Sequence, residues 1–144
     1  MTTDPSCIFC RIAANEIPST HVYEDEMALV FMDINPLTKG HTLVIPKEHF
    51  NPITKTPDEV LQHLIVVARK VAQAQFAALK ANGVNIHQAN GAAAGQVVPH
   101  LHFHVIPRYS DDPHYWNWNP ISYADPTEPT LLANRMKAAI AEGT

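Results

Sequence analysis

The sequence predicts an α+β chain, an antiparallel sheet covered by a long helix, and three observations carry that expectation. Short apolar runs closed by Pro, Gly or Asn read as strands, one long stretch repeats apolar residues at helical spacing, and a strictly alternating stretch follows it. In chain order, Met27-Ala28-Leu29-Val30-Phe31-Met32 and Thr42-Leu43-Val44-Ile45 are the first two strands. Asp33-Ile34-Asn35-Pro36 closes the first and Pro46 the second, with Lys39-Gly40 as the turn signal between them. Thr56-Pro57-Asp58-Glu59 reads as a capping box with proline at the first helical position. Val60, Leu61, Leu64, Ile65, Ala68, Val71, Ala72 and Leu79 then keep the helical period up to Asn82-Gly83, a C-terminal stop. Val84-Asn85-Ile86-His87-Gln88 alternates as a strand, and Ala89 to Gln96 carries the small residues of a tight loop. His100-Leu101-His102-Phe103-His104-Val105-Ile106 is the clearest strand. Beyond Pro107-Arg108 the period weakens until Leu132, Met136, Ala139 and Ile140, which predict a terminal amphipathic helix.

At 144 residues the chain is one domain's worth, expected to span 1–144. No internal repeat or low-complexity tract divides it. Apolar residues make up 46% and charged residues 17%, and no window reaches the roughly 18 apolar residues of a membrane span, so no membrane partner is expected. Met1-Thr2-Thr3-Asp4-Pro5 has neither the basic cluster nor the apolar run of a secretory signal, which makes the cytoplasm the expected compartment. A net charge of -4 gives no global attraction to polyanions, so nucleic acid is not an expected partner and any phosphate must be held locally. The two cysteines, Cys7 and Cys10, form a Cys-x-x-Cys pair, and nine histidines point to where the chemistry lies.

On a strand, His100, His102 and His104 share one face and Leu101, Phe103 and Val105 the other, with neighbouring imidazoles ~6.6 Å apart. Solvation alone rarely makes three of three positions histidine. The row can serve as a metal-chelating strand, since two histidines at i and i+2 reach one zinc, or as a row of acid, base and nucleophile.

That His-φ-His-φ-His-φ-φ pattern, φ being apolar, resembles the motif of the histidine triad (HIT) superfamily of nucleotide hydrolases and transferases. Cys7-Ile8-Phe9-Cys10-Arg11-Ile12, Asn15-Glu16-Ile17-Pro18, Val22-Tyr23-Glu24-Asp25-Glu26, Gly40 through His49, and Asn90-Gly91 through Gly95-Gln96 resemble the same family in its order. The similarity runs over about 6–108, is nearest the Hint branch, and leaves 109–144 unmatched. It implies a HIT-like fold and a homodimer with sheets joined across the two-fold axis. It implies a nucleotidyl hydrolase taking a purine nucleotide substrate, read as a purine-nucleoside phosphoramidase that cleaves AMP-amine conjugates at the α-phosphorus. His102 would be the nucleophile forming a covalent nucleotidyl-histidine, consistent with an imidazole that is largely neutral at pH 7. His104 would protonate the leaving group or bind a non-bridging phosphate oxygen, and His41 would orient the triad. Asn90 and the amides of Gly95, Gln96 and Val97 would hold phosphate, since the Gly-x-x-x-x-Gly-Lys loop is absent. Ile8, Phe9, Ile12, Phe31 and Ile34 would sandwich the base, and Asp33 would accept hydrogen bonds from the ribose hydroxyls. Val97 departs from the pattern, because Hint-like members usually carry Ser or Thr there.

Cys7 and Cys10 have the spacing of half a zinc site; a redox pair, a disulfide and inert thiols are the other readings. Resemblance to the wider superfamily completes a structural zinc (Zn2+) site with His49 and His100. Alternatives to the phosphoramidase are a dinucleoside polyphosphate hydrolase, a zinc-dependent hydrolase with His102 and His104 as ligands, and a nucleotide-binding regulatory protein. Tyr109 to Pro120 reads as an ordered loop, with Trp116 or Trp118 expected near the site's mouth or the dimer seam.

Overall fold

Five strands, β1 (His21–Glu24), β2 (Ala28–Met32), β3 (Thr42–Pro46), β4 (Gly83–His87) and β5 (Phe103–Arg108), form one antiparallel sheet in the order β1-β2-β3-β5-β4. The computed structural model describes residues 2–113 and 120–143 of the chain. Helices α1 (Ile8–Ala13), α2 (Asp58–Leu79) and α3 (Glu128–Ala141), with 3-10 turns at Ile53–Lys55 and Ala92–Ala94, complete the described elements. Every residue of β2 and β3 is buried, which explains why both read as continuous apolar runs without alternation. Val30, Val44 and Val105 face Leu64, Val67, Ala68 and Val71 of α2 and Leu132 and Met136 of α3. Leu29, Phe31, Leu43 and Ile45, one residue out of phase, face Phe9, Cys10 and Ile12 of α1. The sheet is thus covered on both faces, and the functional side chains lie on the α1 side.

Several boundaries differ from the sequence expectation. The capping box does not close: Pro57, with extended backbone, is the residue ahead of α2, and the Thr56 hydroxyl donates to Pro52 O (3.1 Å). Proline starts the helix one residue later than a Thr56 cap requires, so that hydroxyl finds a carbonyl outside it. At the other end, Lys80 takes the left-handed conformation (φ 58°) and terminates α2, and Gly83 already pairs with Arg108 in the sheet. The helix period placed Ile65 in the core, but it is 47% exposed, while Val67 and Ala74 are fully buried. β5 begins at Phe103 rather than His100, because the Leu101 N–H donates to Phe50 O (2.7 Å) and the His100 N–H to Val98 O (2.9 Å), outside the ladder. Neither α1 nor β1 was predicted from local pattern; α1 has six residues, too few for a period to show. The terminal helix formed as expected, burying Leu132, Met136 and Ala139. His114, Tyr115, Trp116 and Trp118 lie outside the described residues. Among the described residues, no helix is long and apolar enough to cross a membrane.

Candidate active site and metal centre

The register of the sheet sets Leu43 of β3 and His87 of β4 on either side of His104, so His104 shares the α1 face. His41, two residues before Leu43, falls on that face too, and its Nε2 lies 2.9 Å from His104 Nδ1. Which ring nitrogen carries each proton follows from partners that can only donate or only accept. The Leu37 N–H donates to His41 Nδ1 (2.9 Å), so the neutral His41 ring keeps its proton on Nε2 and donates to His104 Nδ1. His104 then holds its own proton on Nε2. His102 Nδ1 is 2.6 Å from the His100 carbonyl oxygen, so Nδ1–H donates there and the Nε2 lone pair is left for chemistry. Burial is the first cause holding these rings neutral: it takes His41 down to about 3 and His104 to about 2, with neighbouring imidazoles adding to the effect, and it lowers His102 as well. The His102 and His104 rings meet edge to face at 4.9 Å, and Phe9 packs under His102 at 5.2 Å and against Phe31 at 5.5 Å.

Around this row the structure places the other expected residues unevenly. Asp33 Oδ1 accepts from the Asn35 N–H (2.8 Å) and Oδ2 lies 3.5 Å from His41 Nε2, with burial raising the carboxyl's pKa. Phe9, Ile12 and Phe31 are buried in one cluster, with Phe9 against His102, whereas Ile8 is 47% and Ile34 85% exposed. The Asn90 side chain is engaged within the protein, accepting from the Ile53 N–H (2.8 Å) and donating to Gln88 Oε1 (2.6 Å). Gly95 and Gln96 amides donate to Ala92 O and Gly91 O, and the Gln96 side chain ties the loop together, accepting from Gly91 N–H and donating to Asn51 Oδ1 and Val98 O. Among the described residues, the Val97 amide has no protein acceptor, and the Val97 side chain is exposed.

Cys7, Cys10, His49 and His100 gather their ligand atoms within 4.8 Å of one another and could hold a metal ion. Cys7 Sγ to His100 Nδ1 is 3.3 Å, Cys10 Sγ to His49 Nδ1 3.4 Å and Cys10 Sγ to His100 Nδ1 3.6 Å. Tetrahedral zinc with thiolate and imidazole ligands spans S···N separations of about 3.5 Å, so the cluster fits. The protonation pattern fits as well. His100 Nε2 donates to Pro46 O (2.8 Å), which turns the Nδ1 lone pair to the sulfurs. Backbone amides of Asp4 and Cys10 donate to Cys10 Sγ and Cys7 Sγ (3.5 and 3.4 Å), the support a thiolate needs. Without a cation, burial pushes the Cys10 thiol up to about 11 and His100 down to about 4. A second cluster, Asp33, His41 and His104, has metal-binding residue types but not the proton inventory. With an amide donating to His41 Nδ1, ligation through Nε2 would require an imidazolate.

The HIT domain family matches residues 14–111. The chain belongs to the histidine triad family. An uncharacterized HIT-like protein of Borreliella burgdorferi is 49% identical over 108 residues, covering 74% of this chain and 78% of that protein. An adenylylsulfatase of Arabidopsis thaliana is 40% identical over 111 residues, covering 77% of this chain and 56% of its own. A zinc-bound histidine triad family protein of Mycobacterium smegmatis has a crystal structure that superposes with a TM-score of 0.85 at 38% identity, covering 95% of this chain and 94% of that one.

One residue of this histidine triad protein's site escaped the sequence reading. His87 pairs with His104 across the β4–β5 ladder, with ring centroids 5.8 Å apart, making a fourth imidazole on the same face. It stood in the predicted alternating strand Val84 to Gln88, but nothing local ties that strand's register to His104; only the long-range pairing does.

Proposed function

We propose that this histidine triad protein is a nucleotidyl hydrolase that cleaves compact purine nucleotide conjugates, AMP-amines first among them, at the α-phosphorus through a covalent nucleotidyl-His102. The observation that carries the reading is the hydrogen bond from His102 Nδ1–H to the His100 carbonyl, which leaves the lone pair of a neutral ring on Nε2. His102 Nε2 forms the bond to phosphorus as the phosphorus–leaving-group bond breaks. Water then attacks phosphorus, the phosphorus–Nε2 bond breaks, and the water's proton passes to solvent as AMP is released. His104, neutral with its proton on Nε2, serves as a hydrogen-bond donor to a non-bridging oxygen, not as an acid, since surrendering its one proton would leave an imidazolate. A departing amine therefore takes its proton from solvent, whereas sulfate departs as an anion and needs none. The adenylylsulfatase relative makes adenylyl sulfate the second substrate to try.

In this reading Asp33 receives the ribose hydroxyls, Phe9, Ile12 and Phe31 with Ile8 and Ile34 at the rim enclose the base, and the Val97 amide takes the phosphate. Asn90, Gly95 and Gln96 act by shaping that loop. Cys7, Cys10, His49 and His100 hold a structural zinc outside the reaction, and two chains form a homodimer in the cytoplasm. The proton inventory at His41 and His104 argues against the zinc-dependent hydrolase. Incubation with AMP-amine, GMP-amine, adenylyl sulfate and diadenosine polyphosphate, followed by quench and mass spectrometry, tests the proposal. A nucleotidyl adduct on the peptide carrying His102 is expected; turnover with no adduct, undiminished in His102→Ala, would refute it.

A further inference from the structure

Gln75 is fully buried in the middle of α2, where an apolar side chain would serve packing better. Its Oε1 has no hydrogen-bond partner among the described residues, a desolvation cost that nothing in the core requires. Its Nε2 is fully used: it donates to Gly40 O (3.1 Å) and to Val105 O (2.9 Å). Those two acceptors also settle the amide's orientation, because a flipped group would lose both bonds.

The two carbonyls have a particular place. Gly40 immediately precedes His41, and Val105 immediately follows His104. The β3–β5 ladder ends at the pair Thr42↔Val105, so Gly40 and His41 lie past its last rung. The Gln75 amide spans that gap as a side-chain rung between the segments carrying the two hydrogen-bonded histidines. The rest of the Gly40 peptide is held as firmly. Its carbonyl also accepts from Thr42 Oγ1 (2.7 Å), and its N–H donates to Tyr123 Oη (2.8 Å). Its backbone has φ +100°, and a Cβ there would come within 2.5 Å of Leu79 Cδ1, so the chain presses against α2 as only glycine can.

We propose that Gln75 is a positioning residue for the His41–His104 pair: from the opposite face of the sheet it fixes the separation at which His41 Nε2–H meets His104 Nδ1, and so the direction of the His104 Nε2–H donor. The link to turnover rests on the hydrolase reading; the link to the imidazole pair does not.

The test uses Gln75→Met and Gln75→Leu in the full chain. Both remove the orphaned oxygen together with the bridge, so its relief offsets part of what Gly40 O and Val105 O lose with their donor, and folding stability should fall only modestly. With AMP-amine, kcat should fall about tenfold while KM stays within about twofold, because a displaced donor weakens the transition state more than ground-state binding. Long-range proton–nitrogen spectra of the imidazoles need no substrate: wild type should give one tautomer each for His41 and His104, and the variants averaged ring-nitrogen shifts. Wild-type ring shifts in a folded variant would overturn the proposal. Altered ring shifts with no substrate turned over by wild type would instead sink the hydrolase reading alone. Should both variants unfold, the wild-type Gln75 side-chain amide decides: two resolved, slowly exchanging protons support the bridge, and rapid exchange overturns it.

Discussion

His100 and His102 stand two residues apart and differ in almost everything that matters. Each gives one ring proton to a backbone carbonyl, but from opposite nitrogens: His100 uses Nε2 on Pro46 O, and His102 uses Nδ1 on His100 O. One ring therefore offers Nδ1 to two sulfurs, and the other keeps its lone pair on Nε2. The neighbouring elements complete the division: α1 and its cap residue supply thiols to the first, while His41 at the β3 entry and Asp33 at the β2 exit gather on His104 beside the second. In the proposed reading, residue type does not separate a metal ligand from a nucleophile; the acceptor that fixes the tautomer does.

The largest effect should come from breaking the nucleophile's side of this comparison. His102→Gly is expected to lower kcat by roughly a thousandfold or more while nucleotide affinity changes little, because the lone pair acts in the transition state. Single-turnover assays and nucleotide titration check it, and a loss of affinity equal to the loss of rate would make His102 a binding residue instead.

Breaking the other side should cost stability rather than chemistry. Removing zinc with a chelator, or Cys10→Ser, is expected to lower folding stability by about 3 kcal/mol or more, since metal binding free energy adds to that of the fold. Protein that stays folded should keep its rate per nucleotidyl adduct formed. Metal analysis that finds no bound zinc, or a chelator that halts turnover in protein whose melting temperature is unmoved, would reverse the division of labour.

How far the sequence disclosed this division depends on the distance over which each cause acts. The alternation of His100, His102 and His104 against Leu101, Phe103 and Val105 is a property of six residues, and it survives although the ladder starts at Phe103. The length of α2 was legible for the same reason, while its two ends were not. Thr56 was drawn to Pro52 O, and Lys80 took a left-handed turn with its N–H on Gln75 O, local closures that the helical period does not specify. The tautomers were beyond reach altogether. They depend on Leu37 N–H, Pro46 O and His100 O arriving at particular ring nitrogens, which no periodicity encodes.

A third test sharpens the contrast by removing one proton-binding group while leaving the geometry. His41 is held at about 3 in the fold against 6.5 for an ordinary imidazole, chiefly by burial. Between those pH values the unfolded chain binds a proton that the folded chain refuses, so stability is complete above 6.5 and declines as pH falls toward 3. His41→Gln keeps a donor near the Nε2 position but does not titrate. Its stability, followed by urea unfolding from pH 7 to pH 4 at the same zinc concentration as wild type, should fall less steeply by about 1.4 kcal/mol per pH unit. Parallel profiles would mean that the fold binds a proton on His41 as readily as the unfolded chain does, so that burial does not hold this ring neutral.

The smallest expected effect lies at the rim, where this chain departs from the pattern it resembles. Val97 is 90% exposed, so Val97→Ser should alter stability by less than about 0.5 kcal/mol, which makes it a clean probe of chemistry. The row of neutral histidines has no proton to spare for a departing amine, and a hydroxyl at position 97 would add one donor for the leaving group. AMP-amine turnover should therefore rise a few-fold, on the order of what one solvent-exposed hydrogen bond contributes, while adenylyl sulfate turnover stays level because sulfate leaves without a proton. An equal rise for both substrates would place the new hydroxyl on the phosphate oxygens rather than the leaving group. No rise for either would mean that the amine's proton already reaches it by another route, with His87, beside His104 on the same face, the first residue to replace in search of it.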